Sequence, residues 1–139
     1  MVEPAQKEPL RVILDSNALF APFQFRIDVF GELERLLGRR FELVLLSVVK
    51  RELKVLAESG SVKMRREACL ALRFAERLRL VEVEADASAV VDDVIVRVAK
   101  EWSAAVFTND KLLRRRLRDI SVPVIYVRQK SRLAIEGLV

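Results

Sequence analysis

The segment Arg11-Val12-Ile13-Leu14-Asp15 decides the fold, because it is a continuous run of strand-forming residues that ends at an acid. Continuous apolar runs, unlike alternating ones, are typical of strands that are buried on both faces of a sheet. Similar runs recur at residues 43–46, 80–83, 104–107 and 122–127. Segments with a helical period of apolar residues, such as 26–37 and 62–78, lie between them. Strands that alternate with helices predict an α/β fold, a parallel sheet with helices on both faces.

The composition predicts one domain, because a chain of 139 residues that is 52% hydrophobic is long enough to bury a continuous core. Residues 1–9 mix charges with two prolines and lack the apolar stretch of a secretory signal. We therefore expect a flexible N-terminal tail at 1–9, followed by a single domain at 10–139. No apolar stretch approaches the length of a membrane span, so we expect a cytoplasmic protein. The charged fraction of 32%, with no histidine, is typical of a thermophile.

Two acids directly follow predicted strands. Asp15 comes after the first strand, and Asp110 closes the fourth in Thr108-Asn109-Asp110. Functional sites in open parallel sheets form outside the carboxyl ends of the strands, so both acids are candidates for a site. Each is explained equally well as the N-cap of the next helix, because aspartate caps helices effectively. The sequence leaves both interpretations open.

Glu52 lies on a predicted helix that begins near Ser47. The apolar residues of this helix form one stripe, and Glu52 falls inside that stripe, four residues from both Val48 and Leu56. Burying an unpaired carboxylate is too costly to be tolerated. Glu52 therefore requires a partner, either a basic side chain in a salt bridge or a metal ion.

The adjacent acids Asp92 and Asp93 are separated by the same helical geometry. Asp92 lies about 20° beyond the edge of the apolar face, next to Ala99, whereas Asp93 points towards solvent. Asp92 is therefore the better candidate for a pocket. Asp93 either supports the residues of the site or is simply solvated.

Four converging acids, Asp15, Glu52, Asp92 and Asp110, require a counterion. Without one they would repel each other, and some would be protonated at neutral pH. The chain has no histidine, and we expect its single cysteine, Cys69, to be buried in a helix as a small apolar residue. Carboxylate oxygens alone point to Mg²⁺ or Mn²⁺ rather than zinc. Such ions stabilise the attacking and leaving oxygens of phosphodiester hydrolysis.

Four short motifs occur in order along the chain: Asp15-Ser16-Asn17-Ala18-Leu19, Ser47-Val48-Val49-Lys50-Arg51-Glu52-Leu53, Asp92-Asp93-Val94-Ile95 and Thr108-Asn109-Asp110. They resemble the motifs of the PIN-domain ribonucleases, and the likeness runs from Val12 to about Val127. The resemblance implies a twisted five-stranded parallel sheet in a PIN-like domain, metal-dependent endoribonuclease activity and frequent homodimers. Carried over by position, the four acids would be the catalytic, metal-binding residues, and Asn17 and Thr108 would shape the pocket by hydrogen bonds.

Within that family, the sequence most resembles the branch that processes small-subunit ribosomal RNA. This likeness rests on residues 91–96, 108–111, 113–116 and 122–127. It implies a precursor ribosomal RNA substrate and a place in a pre-ribosomal particle. One departure is Leu112, which stands where many relatives have an acid two residues after the fourth-motif aspartate. It leaves open whether the site holds one metal ion or two.

Basic residues follow the fourth motif at helical spacing and predict a surface for RNA. Lys111, Arg114, Arg115 and Arg118 share one face of the helix that begins beside Asp110, although a solvated basic face is the alternative. A nuclease must attract phosphate to a negative pocket, and the net charge of +5 permits a polyanionic partner. A second set of candidate RNA contacts is Lys63, Arg65 and Arg66. Aromatic residues do not alternate with these charges, so we expect recognition of backbone and shape.

Three other functions remain open on the sequence alone. A non-catalytic RNA-binding module of ribosome assembly would keep the fold and lose activity, which the replacement of an acid by Leu112 permits. A toxin ribonuclease of a toxin-antitoxin pair would keep the chemistry and change the substrate. A phosphatase with a phosphorylated aspartate would need a second acid two residues after Asp15, where this chain has Asn17.

Overall fold

A computed structural model describes residues 8–139, and in this part of the chain six strands form one sheet. The strands are β1 (Leu10–Leu14), β2 (Phe41–Leu46), β3 (Arg79–Val81), β4 (Ala105–Phe107), β5 (Val124–Arg128) and β6 (Arg132–Glu136). Their order across the sheet is β3-β2-β1-β4-β5-β6. Neighbours among the first five strands pair in parallel, and β6 pairs antiparallel with β5. The tail predicted at 1–9 lies outside the described residues, except for the exposed Glu8 and Pro9.

Helices connect the strands, and several of them begin at a polar side chain that caps the helix. They are α1 (Ser16–Gln24), α2 (Val29–Leu37), α3 (Ser47–Ser59), α4 (Val62–Ala75), α5 (Val91–Trp102) and α6 (Lys111–Asp119). The side chains of Asp15, Asp28, Ser61 and Asp110 accept backbone N–H groups of the first turns of α1, α2, α4 and α6. No helix within residues 8–139 is long and apolar enough to cross a lipid bilayer.

The centre of the sheet is the centre of the core. Val12, Ile13 and Leu14 of β1 are fully buried, as are the three residues of β4 beside it. This is what continuous apolar runs predict for strands with helices on both faces. The chain continues from β1 to β2 on one side, while β4 pairs with β1 on the other side. The carboxyl ends of β1 and β4 therefore flank the switch point where α/β sheets form their sites.

The predicted α/β fold is confirmed, and the sheet has one strand more than the five expected. The sixth, β6, follows a tight turn in which Gln129 and Lys130 both have left-handed backbone conformations, with φ of 54° and 58°. Such turns are usually marked by glycine or asparagine, and neither is present here. The strand itself mixes charged ends with only one fully buried side chain, Leu133. The sequence therefore carried little signal for this hairpin.

Three local expectations need correction. The helix expected from residue 26 begins at Val29, because Asp28 is its N-cap and Arg26 has a positive φ of 52°. The helix expected at 62–78 ends at Ala75. Cys69 is exposed on α4, although we expected it to be buried, because the buried face of this helix runs through Ala68, Ala71 and Ala75 and so excludes its position.

Candidate active site

Asp15 is the most buried acid of the candidate site, with only 5% of its surface exposed. Its Oδ1 accepts the N–H of Ala18 at 3.0 Å, so the capping interpretation is correct. Its Oδ2 accepts hydrogen bonds from the amide of Asn17 at 3.1 Å and from the hydroxyl of Thr108. One carboxylate thus caps α1 and also faces the end of β4. Asp15 can therefore be both the N-cap of α1 and a residue of the candidate site.

The pKa of Asp15 is raised, chiefly because the carboxyl group is buried. Burial raises the pKa of this carboxyl to about 7, although hydrogen bonds from Thr108 and Ala18 lower it. The negative charges of Asp92 and Asp110 raise it further. Asp15 therefore shares one electrostatic environment with two other acids of the predicted set.

The end of β4 is tied to the start of α1 and to β5 by a network of hydrogen bonds. The N–H of Asn109 donates to Oδ1 of Asn17 at 2.9 Å, and the N–H of Asp110 donates to the hydroxyl of Thr108 at 3.1 Å. On the other side, Oδ1 of Asn109 accepts the N–H of Val127 at 2.8 Å. Asn17 and Thr108 thus make hydrogen bonds that connect the ends of β1 and β4. Asn109 was missed, although a polar amide at the end of a buried strand is a usable signal.

Asp110 caps α6 with one oxygen. Its Oδ1 accepts the N–H groups of Leu112 and Leu113 at 2.8 and 3.1 Å, and these bonds do not involve Oδ2. Leu112 itself is 71% exposed on the first turn of α6. The position where relatives have an additional acid is therefore accessible to solvent.

Asp92 and Glu52 complete the group from two other helices, and both are half-buried. Burial raises the pKa of Asp92, and the charges of Asp110 and Glu52 add to the rise, whereas Arg116 opposes it. No ion pair found within residues 8–139 includes any of the four acids. Charge interactions link Glu52 to Asp92, and Asp92 to Asp110 and Asp15. Within the described residues, no basic side chain forms an ion pair with Glu52.

Asp93 has a different environment from its neighbour. It is exposed, and its Oδ1 lies 2.9 Å from the guanidinium of Arg116 on α6. The separation of the two acids by helical geometry therefore agrees with the structure. Through this ion pair, Asp93 holds a positive charge near Asp92, and that charge lowers the pKa of Asp92.

The chemistry of the donors fits a hard divalent cation. All candidate ligands are carboxylate oxygens, and their mutual repulsion is the situation that a cation relieves. Within residues 8–139, no group of three or more acidic or cysteine side chains is arranged so that it could hold a metal ion by itself. The acids can still raise each other's pKa values without forming such a group, because charges interact over longer distances than the roughly 2.0–2.6 Å of a coordination bond. Coordination would have to be completed by water or substrate oxygens.

The basic residues of α6 line a groove of about 180 Å³. Lys111, Arg114, Arg115 and Arg118 form it together with Glu136 of β6. Lys63, Arg65 and Arg66 are exposed on the first turns of α4 and do not line this groove. A second basic groove, of about 200 Å³, was missed; its charged residues are Lys50, Arg51, Lys54 and Glu82. Its signal in the sequence was the i, i+4 spacing of Lys50 and Lys54, on the side of α3 opposite Glu52.

Comparison with known proteins identifies the family. A family model described as a PIN-like domain matches residues 12–130, which is most of the chain. The chain belongs to the PIN-like domain family. This PIN-like domain protein is 36% identical over 132 residues to Ribonuclease VapC4 of Methanocaldococcus jannaschii, and the match covers 93% of this chain and 98% of the relative. It is 30% identical over 126 residues to Ribonuclease VapC9 of Archaeoglobus fulgidus, covering 91% and 89%.

Solved structures give the same family for this PIN-like domain. The PIN domain endonuclease Utp24 superposes with a TM-score of 0.78 at 30% identity, and the match covers 94% of each chain. VapBC2 from Rickettsia felis, bound to a DNA fragment from their promoter, gives a TM-score of 0.56 at 19% identity, covering 76% of this chain and 92% of that one. At this identity, the similarity to VapBC2 shows a shared fold only. The family predicted from the four motifs is confirmed.

Proposed function

We propose that this protein is an endoribonuclease that requires a divalent cation and cleaves RNA phosphodiester bonds by hydrolysis. The observation that carries the proposal is a set of four acids: Asp15 and Asp110 at the carboxyl ends of β1 and β4, with Asp92 from α5 and Glu52 from α3. No ion pair found within residues 8–139 includes any of them. Relatives over nearly the whole chain that are named ribonucleases, and a similar endonuclease structure, support the same activity.

The residues of the site have different proposed roles. Asp15, Glu52, Asp92 and Asp110 would hold the cation, which when bound supplies Lewis-acid polarisation of a phosphodiester and a water of lowered pKa. Asn17 and Thr108 orient the Asp15 carboxylate by donating to its Oδ2. Asp93 holds Arg116 beside Asp92. No side chain needs to act as the base, and the expected product is a 5′-phosphate on the downstream fragment.

The ion we propose is Mg²⁺ or Mn²⁺, because oxygen ligands and retained waters suit both. One ion would be held by carboxylates of the four acids together with water or substrate oxygens that complete its coordination. A second would be held only together with an RNA phosphate, because Leu112 offers no ligand at the exposed position where relatives have an acid.

The substrate we propose is precursor ribosomal RNA, on the basis of the resemblance of residues 91–96, 108–111, 113–116 and 122–127 to that branch of the family. The basic groove of α6 begins at Lys111, next to Asp110, and would hold the RNA backbone beside the acids. Lys63, Arg65 and Arg66 remain a second proposed contact, on α4. A cytoplasmic location, a homodimer and association with a pre-ribosomal particle belong to the same proposal.

A second candidate function is the toxin ribonuclease of a toxin-antitoxin pair. What favours it is that two relatives, 36% and 30% identical over nearly the whole chain, are both named VapC ribonucleases. The chemistry of the site is the same for both candidates. Only the RNA that is cut, and the presence of an inhibitory partner protein, distinguishes them.

The test is cleavage of precursor ribosomal RNA and of a mixture of transfer and messenger RNAs, with Mn²⁺ or with EDTA. We expect the parent to cut the precursor at defined positions with Mn²⁺ and to be inactive with EDTA. Asp92→Asn should lose at least about 100-fold in rate, since it removes a ligand, whereas the matched control Asp93→Asn should lose less than about fivefold. Equal activity of parent and Asp92→Asn would overturn the site, and preferred cutting of the mixture would favour the toxin.

A further inference from the structure

One arginine of the α6 groove is held against an aromatic ring. The guanidinium carbon of Arg114 lies 3.8 Å from the ring centroid of Tyr126, which projects from β5. Arg114 is half-buried, and its Nε is the one side-chain nitrogen or oxygen within residues 8–139 that is buried without a hydrogen-bond partner. No acid of the described residues is paired with this guanidinium. Arg114 is therefore fixed by stacking and keeps its charge unneutralised.

The other cations of the groove differ from Arg114 in this respect. Lys111 and Arg115 are exposed and stack on no ring of the described residues. Arg118 lies 4.0 Å from Glu136, so part of its charge is compensated within the groove. A side chain that is already ordered loses less conformational entropy when it binds a ligand. Arg114 is thus the cation of this groove best prepared to bind an anion.

The stacked arginine also restricts what the groove can recognise. An arginine covers one face of Tyr126, so that face is closed to a nucleic-acid base. The remaining lining is charged rather than apolar, with four cations and one acid. Such a surface binds the phosphates of a polynucleotide and does not read its bases.

We propose that Arg114, positioned by Tyr126, is the main phosphate contact of an RNA backbone that lies along α6. This rests on the proposed function only in taking RNA as the ligand. Tyr126 is a positioning residue, since it acts through Arg114. The groove holds RNA of any sequence, so the choice of cleavage position comes from RNA structure and not from base contacts along α6.

The test is fluorescence anisotropy with a labelled single-stranded RNA in EDTA, so that no cleavage occurs. We expect Arg114→Gln to weaken binding about tenfold and Arg115→Gln, with the same change of charge, no more than about threefold. Arg77→Gln is the control for ring stacking in general, because Arg77 lies 4.4 Å over Phe30 outside the groove. It should bind RNA like the parent.

Substitutions of Tyr126 distinguish the effect of positioning Arg114 from the effect of its charge. Tyr126→Phe keeps the stacked face and should bind like the parent, whereas Tyr126→Leu keeps every charge and should weaken binding about fivefold. Should Tyr126→Leu fail to fold, Arg114→Lys decides, because it keeps the charge without the planar guanidinium and should still bind several-fold more weakly. In cleavage with Mn²⁺, these variants should raise KM and leave kcat within about twofold, as expected of residues that bind the RNA without contacting the reacting atoms.

Three results would overturn the proposal. One is parent-like RNA binding by Arg114→Lys. Another is an equal loss in Arg114→Gln, Arg115→Gln and Arg77→Gln. The third is tighter binding of an oligoglutamate peptide than of RNA, which would assign the groove to an acidic protein partner. If the parent binds RNA with the expected order of variants but does not cleave it, only the proposed function fails.

Discussion

At the scale of single residues, the behaviour of the protein is dominated by Asp15. This carboxylate follows β1, whose last three residues are fully buried, and its charge must be accommodated where little water reaches it. It keeps three hydrogen-bond donors from Ala18, Asn17 and Thr108 and still has its pKa raised to about 7. The residue is therefore held in place by its partners and remains short of the positive charge that a bound cation supplies.

The raised pKa of Asp15 predicts a stability that falls with increasing pH in the metal-free protein. The folded state binds the proton more tightly than the unfolded state, whose carboxyl has a pKa near 3.8. The stabilisation is complete below pH 4 and is lost as the pH rises to about 7, by up to roughly 4 kcal/mol. Burial of Asp92 acts in the same direction. Urea unfolding with EDTA at pH 5 and pH 8 measures the difference.

Asp15→Asn is the control for this pH dependence. Asparagine still caps α1 but does not titrate, so the loss of stability between pH 5 and pH 8 should shrink. In the parent, Mn²⁺ should restore stability at pH 8, because the cation binds the ionised carboxylates of the folded state. An unchanged pH dependence in Asp15→Asn would show that another group is responsible.

The hydroxyl of Thr108 predicts a shift in the pH profile of cleavage. It donates to Oδ2 of Asp15, and this bond lowers the pKa of Asp15. Thr108→Val removes the donor, so the pKa of Asp15 should rise and the acid limb of the profile should move to higher pH, with a rate loss of about tenfold at pH 7. Thr108→Ser keeps a hydroxyl and should restore most of the parent profile. The pH dependence of kcat/KM with Mn²⁺ measures both.

At the scale of elements, β6 is the part that the sequence did not predict. It is attached at its far side by Glu32 of α2, whose Oε1 accepts the N–H of Leu133 at 2.9 Å and lies 3.1 Å from Arg35. A strand at the edge of a sheet presents unpaired backbone groups, and this contact satisfies one of them. The predicted elements were those with long apolar runs or wide helical stripes. The edge strand is held instead by a side chain 101 residues away in the sequence, which no local pattern reports.

The contact between Glu32 and β6 predicts a loss of stability in Glu32→Ala. The N–H of Leu133 would lose its acceptor, and the free energy of unfolding should fall by about 1–2 kcal/mol. Glu34, exposed on the same helix, provides the matched control, and Glu34→Ala should change it by less than about 0.5 kcal/mol. Thermal and urea unfolding measure both variants. Equal effects would mean that the contact contributes nothing.

At the scale of the whole molecule, charge is distributed unevenly around a net value of +5. Asp15 and Asp110 lie at the carboxyl ends of the central strands, Glu52 and Asp92 lie on α3 and α5, and basic grooves lie on α6 and on α3. From the sequence, Asp15 and Asp110 were candidates because each follows a strand, Glu52 because it lies in an apolar stripe, and Asp92 because it borders one. Lys50 and Lys54 were not assigned, because their role depends on how α3 packs beside β3. That packing depends on contacts between elements distant in sequence.

This distribution predicts a strong dependence of RNA binding on salt. Phosphate contacts to the four cations of the α6 groove should give a slope of log K against log salt concentration of about −3 for single-stranded RNA. Arg114→Gln should reduce the magnitude of the slope by somewhat less than one. The double variant Lys50→Gln with Lys54→Gln tests the α3 groove and should change the slope by a smaller amount. A slope near zero in the parent would exclude a backbone contact of this kind. Fluorescence anisotropy at salt concentrations between about 50 and 300 mM measures the slope.

The central position of β1 has a consequence for how the protein is made. Asp15 reaches Thr108 and Asp110 only when β1 and β4 pair, and β4 is completed at Phe107, late in the chain. A ribosome must therefore synthesise most of the protein before the residues proposed to cut RNA can meet. Incomplete chains that end before β4 carry Asp15, Glu52 and Asp92 but cannot assemble them around Asp110. For the function we propose, the order of the strands would prevent chains that are still being translated from cutting RNA.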